Sequence, residues 1–261
     1  MDILSDTQWE TYQRDGFLVL KTLLDDSQLK ALQQRIDDIM LGTADIDYSR
    51  TMMQLDGATG DYNDAGKQSN GHKGATLNYR KIQGLEQDPL YLELMQHPLF
   101  RDICSRVYGA NARIACFRAM FMNKPAGMGT KLPWHQDRWR NLDRDPQVTL
   151  WTALDPATAE NGCVQVIPGS HRALINPDHE FGFLTPDQAD EHCSKNIVHL
   201  ELQAGEAVLL HNWLLHSSDK NNSTQSRRAF SACYMDASTC YTSGKPVTFP
   251  ILFGEGELTL D

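Results

Sequence analysis

Trp134-His135-Gln136-Asp137 is a short segment in which a histidine and a carboxylate stand two residues apart. Side-chain direction alternates with period two along an extended chain, so His135 and Asp137 project from one face and can grip one ion. His216 lies about eighty residues further on, and Arg227 eleven beyond that. With a second histidine brought in by the fold, these residues form the two-histidine, one-carboxylate set that holds non-haem Fe(II) and leaves positions open for oxygen chemistry.

From Ile114 onward the chain around this segment reads as short strands separated by turn residues. Residues 114–122, 148–154, 163–167, 197–202, 207–210 and 228–235 are rich in apolar and β-branched side chains and are bounded by Gly, Pro, Asn or Asp. Such spacing predicts a sandwich or jelly roll. Before it, two helices flank a strand at 17–20: Ser5 with Gln8 offers a capping box, Gly16 a stop, and Leu29, Leu32, Ile36 and Ile39 a helical stripe ended by Gly42. Helical pattern returns at 90–97 and again from Pro98, where Leu99, Ile103 and Val107 share a face before Gly109. Residues 42–77 are rich in Gly, Asp, Ser and Asn without sustained periodicity, which favours a substrate-covering loop over simple disorder.

At 261 residues one domain can bury a large core. We therefore expect a single unit, with residues 1–110 as a mostly helical buttress and cover and 111–261 as the β core. The 24 basic and 34 acidic residues give a net charge of −10, which disfavours nucleic acid and anionic membranes as partners and leaves room for a local basic pocket. No apolar run is long enough to span a bilayer. Met1-Asp2-Ile3-Leu4-Ser5-Asp6 lacks the basic and apolar regions of a signal peptide, so a cytoplasmic enzyme is expected. The six cysteines contain no Cys-x-x-Cys pair and are expected as reduced, mostly buried thiols.

Several motifs agree in order with one family: Lys81-Ile82-Gln83, Met120-Phe121-Met122-Asn123-Lys124-Pro125, His135-Gln136-Asp137, Trp151-Thr152-Ala153-Leu154, Asn161-Gly162-Cys163, Pro168-Gly169-Ser170-His171 and His216-Ser217-Ser218. On these residues the chain resembles the phytanoyl-CoA dioxygenase family of Fe(II)- and 2-oxoglutarate-dependent oxygenases, from about Leu4 to at least Asp236. The resemblance implies a mainly β fold with flanking helices, a cupin-like double-stranded β-helix. It also implies O2 and 2-oxoglutarate as cosubstrates, with succinate and CO2 released as a small-molecule substrate is oxidised at an unactivated C–H bond. Halogenating relatives lack the carboxylate, so Asp137 points to hydroxylation, or to desaturation or another oxidation that starts the same way.

Carried over residue by residue, the resemblance makes His135, Asp137 and His216 the metal ligands and gives Arg227 the far carboxylate of 2-oxoglutarate. Lys81 becomes a second cation near it, Met120 and Trp151 pack along it, and Ser218 donates a hydroxyl. His211 competes with His216 within one segment; the spacing to Arg227 favours His216 and leaves His211 as a neighbour lining the site. Arg228 adjoins Arg227, but neighbours on a strand face opposite sides, so one of the two reaches the cosubstrate. Arg138, Trp139 and Arg140 follow the metal motif and, with Arg80 and Arg118, could select an anionic substrate; a solvated basic turn is the plainer reading of 138–140. His72, His97, His179, His192 and His199 have no supporting motif and are read as structural, and His171 as structural or gating. A non-catalytic metal-binding jelly roll and a zinc hydrolase are the other function classes; neither accounts for Arg227 together with Lys81.

Overall fold

The computed structural model describes residues 4–21, 23–244 and 246–260. Helix α1 (Asp6–Asp15) starts at Ser5, whose hydroxyl accepts from the Gln8 amide while the Gln8 side chain accepts from the Ser5 amide. It ends at Gly16, with φ of 80°. A side chain there would be strained and would also place Cβ 2.5 Å from His171 Nδ1. Strand β1 (Phe17–Leu20) and helix α2 (Asp26–Leu41) follow, with Leu32, Ile36 and Ile39 on the buried stripe of α2.

Residues 42–77 differ from the expected irregular loop. They carry β2 (Met52–Leu55), β3 (Ser69–Asn70) and two 3-10 turns, and β2 pairs with both β3 and β4 (Tyr79–Gln83). Strands of two to four residues are too short to establish a period, so their sequence looks like loop. Helices α3 (Pro89–Met95) and α4 (Pro98–Tyr108) each begin with proline, where the missing amide is harmless. Asp88 caps α3, and His97 Nδ1 accepts from the Leu99 amide to cap α4, a structural use of that histidine.

The remaining elements are β5 (Ile114–Lys124), β6 (Leu132–His135), β7 (Val148–Ala153), β8 (Val164–Val166), helix α5 (Pro186–Cys193), β9 (Val198–Leu200), β10 (Ala207–His211), β11 (His216–Ser218), β12 (Arg227–Asp236) and β13 (Ile251–Phe253). They form two antiparallel sheets, one ordered β1-β10-β7-β12-β5-β4-β2-β3 with β13 also on β5, the other β6-β11-β8-β9. The fold is a jelly roll flanked by helices. The large sheet is buried on both faces: Val148, Leu150, Phe230, Ala232 and Leu209 pack towards the helices, while Trp151, Ala153, Ala229 and Val208 pack towards the small sheet. That is why β7 is buried at every position and shows no strict alternation of apolar and polar residues. No helix among the described residues is long and apolar enough to cross a membrane. Cys104, Cys116, Cys163, Cys193 and Cys233 are buried free thiols, and Cys240 is exposed.

Arg228 points out of the β12 cavity face and clamps the buttress to the core. Its guanidinium donates to Asp155 at 2.8 Å and to Asp37 of α2 at 2.6 Å. Truncation leaves two partly buried carboxylates without their cation. Arg228→Ala is therefore expected to destabilise the fold by about 3 kcal/mol, read by chemical denaturation; a change below the error of that measurement would refute the clamp.

Candidate active site

The small sheet sets the two histidines together. Antiparallel pairing of β6 and β11 puts His216 directly opposite His135, and their rings lie 4.1 Å apart between centroids. Asp137 follows two residues after His135, with its carboxylate oxygens 3.8 Å from His135 Nε2 and 4.0 Å from His216 Nε2. One ligand atom from each of the three residues falls within 4.8 Å of the others, the only such group of three among the described residues. The two histidines share one local device: Nδ1 of His135 meets the Pro133 carbonyl at 2.9 Å, and Nδ1 of His216 meets the Leu214 carbonyl at 2.8 Å. A carbonyl only accepts, so each Nδ1 carries the proton and each Nε2 offers a lone pair to the shared space.

The segment between the ligands is pinned from both sides. The Gln136 amide donates to Gly182 O, the Asp137 amide to Asn212 O, and the buried Gln136 side chain donates to Ala173 O and Trp213 O. Gly182 has a positive φ, and a Cβ on it would collide with the Gln136 carbonyl. Burial, then the neighbouring His216, drives His135 down to about 3, so its ring is neutral. Burial works against the Asp137 charge, yet His216, Arg118, His135 and Lys81 outweigh it and hold the carboxyl below its ordinary value. A neutral imidazole beside an ionised carboxylate is the state a divalent cation requires.

A cavity of about 290 Å³ opens from these residues between the two sheets, and Lys81, Met120, Trp151, Ser218 and Arg227 all line it. Arg227 is buried, and its Nε and Nη1 have no hydrogen-bond partner among the described residues. The guanidinium lies 5.2 Å from the Trp151 ring centre, and burial pushes it down to about 10. A buried, unanswered guanidinium is costly unless an anion reaches it. The far carboxylate of 2-oxoglutarate fits this vacant fork, as the ligand trio fits Fe(II). Burial, reinforced by Arg80 and Arg118, pushes the Lys81 ammonium down to about 7.

The remaining predicted residues divide. His211 lines the cavity but stands outside the ligand trio. Its Nδ1 accepts from the Trp213 amide, and burial, then His171, drives it down to about 4. Arg138 and Trp139 line the cavity, though Arg138 is engaged with Pro177 O at 2.9 Å and Asp145 at 3.5 Å. The structure does not bring Arg140 to the cavity lining; its guanidinium donates to the Asp178 carbonyl at 2.7 Å, outside the site. Sequence reasoning missed Phe183, which stacks on His135 at 4.9 Å, and Tyr62 and Gln68, supplied by the 42–77 region. It named Arg118 only for its closeness to the motifs. The signal was available, because Arg118 shares its strand face with Met120 and Met122, which also line the cavity.

A jelly roll that gathers a histidine pair, an ionised carboxylate and an unpaired guanidinium in one cavity defines a non-haem iron, 2-oxoglutarate-dependent oxygenase. The profile of the family described as Phytanoyl-CoA dioxygenase (PhyH) matches residues 12–229, and the chain belongs to that family. A probable phytanoyl-CoA dioxygenase of Caenorhabditis elegans is 28% identical over 252 residues, which cover 91% of this chain and 77% of that protein. Phytanoyl-CoA dioxygenase of Arabidopsis thaliana is 26% identical over 262 residues, covering 91% and 90%. Among solved structures, EctD from S. alaskensis with 2-oxoglutarate and 5-hydroxyectoine superposes with a TM-score of 0.70 at 20% identity, over 91% of this chain and 78% of that one. The non-heme alpha ketoglutarate dependent carbocyclase SnoK from nogalamycin biosynthesis gives 0.69 at 21%, over 91% and 86%. At these identities the two structures bear on the fold.

Burial of Lys81 makes the metal-free protein less stable at neutral and acid pH than in mild alkali. Between about 7 and its ordinary 10.5 the unfolded chain keeps a proton that the folded chain has released. Stability therefore rises with pH across that window. Lys81→Met is expected to flatten the rise and to stabilise the cofactor-free protein most below pH 7; melting curves with equal slopes for both proteins would contradict this.

Proposed function

We propose that the enzyme hydroxylates an unactivated C–H bond of a small-molecule metabolite while 2-oxoglutarate is converted to succinate and CO2. In this reading His135, Asp137 and His216 hold Fe(II), Arg227 takes the far carboxylate of 2-oxoglutarate, and Lys81 and Ser218 supply further donors to it. The observation that carries the reading is the pairing, in one cavity, of the three-residue ligand group with the unpartnered Arg227. Bound iron and 2-oxoglutarate supply the activation of dioxygen through oxidative decarboxylation.

The chain's own residues set the conditions for that chemistry. Pro133 and Leu214 fix both histidine tautomers, so neither ring must reorient when metal arrives. Trp151 and Met120 wall the cosubstrate side with apolar surface, which strengthens the attraction of Arg227 and Lys81 for an anion by excluding water. The Phe183 ring against His135 covers the ligand group from outside. Asp137 leaves no vacant ligand position of the kind a halide would need, which supports hydroxylation over halogenation. A second reading, an oxidation with another outcome, has support from a carbocyclase and an epimerase among the solved structures of the same fold.

Anaerobic Fe(II) with 2-oxoglutarate is expected to give a weak visible charge-transfer band, lost in Asp137→Ala. Arg227→Met is expected to lower 2-oxoglutarate affinity about 100-fold, since removing one partner of a buried charge pair costs roughly 3 kcal/mol. No band from the unaltered protein at saturating ligand would sink the assignment. Product analysis after aerobic turnover with candidate metabolites separates hydroxylation from the other outcomes.

A further inference from the structure

The arginines around the cavity differ in what their donors already do. Arg228 is spent on Asp155 and Asp37, Arg140 on Asp178 O, and Arg138 on Pro177 O and Asp145. Arg80 donates to Gln54 Oε1 at 3.2 Å and lies over the Tyr62 ring. Two guanidiniums in the cavity lining remain, Arg227 and Arg118.

Arg118 makes no hydrogen bond among the described residues. Its nearest opposite charge is Asp137 Oδ2 at 3.8 Å, too far for a hydrogen bond, and that carboxylate also faces both histidines. The guanidinium lies 5.4 Å from the Trp139 ring centre. Trp139 is itself held, edge-on to Phe117 at 4.6 Å and by its amide to Asp145 Oδ1 at 3.0 Å. The fork is thus set in place before any ligand arrives, which lowers the ordering cost of binding.

Strand register separates the two free guanidiniums. On β12, Arg227 pairs with Lys124 and Cys233 with Arg118. Six residues of strand therefore divide their levels, about 20 Å at roughly 3.3 Å per residue. Met122 and Met120 occupy the levels between, and Asp137 lies beside Arg118. One small dianion at Arg227 leaves Arg118 unanswered.

Charge points the same way. Apart from the Arg138–Asp145 pair, Arg118 and Arg227 bring two positive charges to the lining against Asp137, and Lys81, pushed down to about 7 by burial, adds only a fraction of a charge. A divalent metal and a doubly charged cosubstrate cancel, so the excess stays for another anion. The volume of about 290 Å³, shared with 2-oxoglutarate, restricts that anion to a small molecule.

We propose that Arg118, laid against Trp139, is the specificity residue that takes a carboxylate of the substrate, and that the enzyme oxidises a small carboxylic acid anchored at the opposite end of the cavity from Arg227. This rests on the assignment of Arg227 to 2-oxoglutarate. A flat guanidinium edge matches a carboxylate through two parallel hydrogen bonds. A neutral thioester or amide would leave the guanidinium unanswered in a partly desolvated place.

The test uses the anaerobic Fe(II) and 2-oxoglutarate complex at saturating cosubstrate. Straight-chain carboxylates of four to eight carbons, their primary amides and the matching alkylphosphonates serve as probes. Calorimetry gives affinity, and the charge-transfer band reports whether 2-oxoglutarate stays bound. At least one carboxylate is expected to bind tenfold or more tightly than its amide, with the band perturbed but retained. In Arg118→Gln that preference is expected to vanish; if this variant fails to form the band, Arg118→Lys, which keeps the charge near Asp137 but loses the flat fork, is expected to weaken the carboxylate several-fold. Equal binding of acid and amide, binding only of phosphonates, displacement of the band, or unchanged carboxylate affinity in the variant that is read would each overturn the proposal. Absence of the band in the unaltered protein would instead fail the cosubstrate assignment, and the two failures are separate.

Discussion

The antiparallel register of β6 against β11 is the constraint on which the site depends. It sets His216 opposite His135, and Asp137, just past the end of β6 and held by its amide on Asn212 O, turns to the same side. A slip of β11 by one residue would turn His216 to the other face, away from His135 and Asp137. The register has little strand to hold it, because β6 has four residues and β11 three. Contacts outside the strands do the holding: the Gln136 amide on Gly182, the Asp137 amide on Asn212, and the Gln136 side chain across to Ala173 and Trp213.

The large sheet solves a different problem with the same period of two. Its central strands are buried on both sides, so one set of alternate residues packs the helices and the other builds the cavity. On β12 this parity separates neighbours with identical side chains. Arg228 turns outward and is saturated by Asp155 and Asp37, while Arg227 turns inward and keeps free donors. The outer arginine stabilises the fold, and the inner one is an electrostatic cost that a bound anion relieves.

Much of this was legible in the residues. The Ser5–Gln8 capping box, the glycine stops and the stripe of α2 are local signals, and the structure shows them where they were read. All six expected core strands agree to within two residues at either end. The elements that escaped are short or lack a distinctive pattern: β2, β3, β4, β11, β13 and helix α5, while β6 was read only as an extended segment around His135. Residues 42–77 looked irregular because pairing with β4, which lies further along the chain, gives their brief strands a place.

The sequence by itself determined parity and chemistry. His135 with Asp137, and Arg227 against Arg228, are decisions of a period that needs no distant partner, and the ordered motifs identify the family. Only the tertiary structure decided which charged groups are satisfied. Whether a guanidinium finds a carbonyl, a carboxylate or nothing depends on residues far away in the chain. Arg140 thus ends on Asp178, Arg138 on Pro177 and Asp145, and Arg118 beside Trp139 with its donors free. Hydrogen-bond satisfaction is a property of the folded surroundings, and it separates the arginines that build this protein from those left to bind.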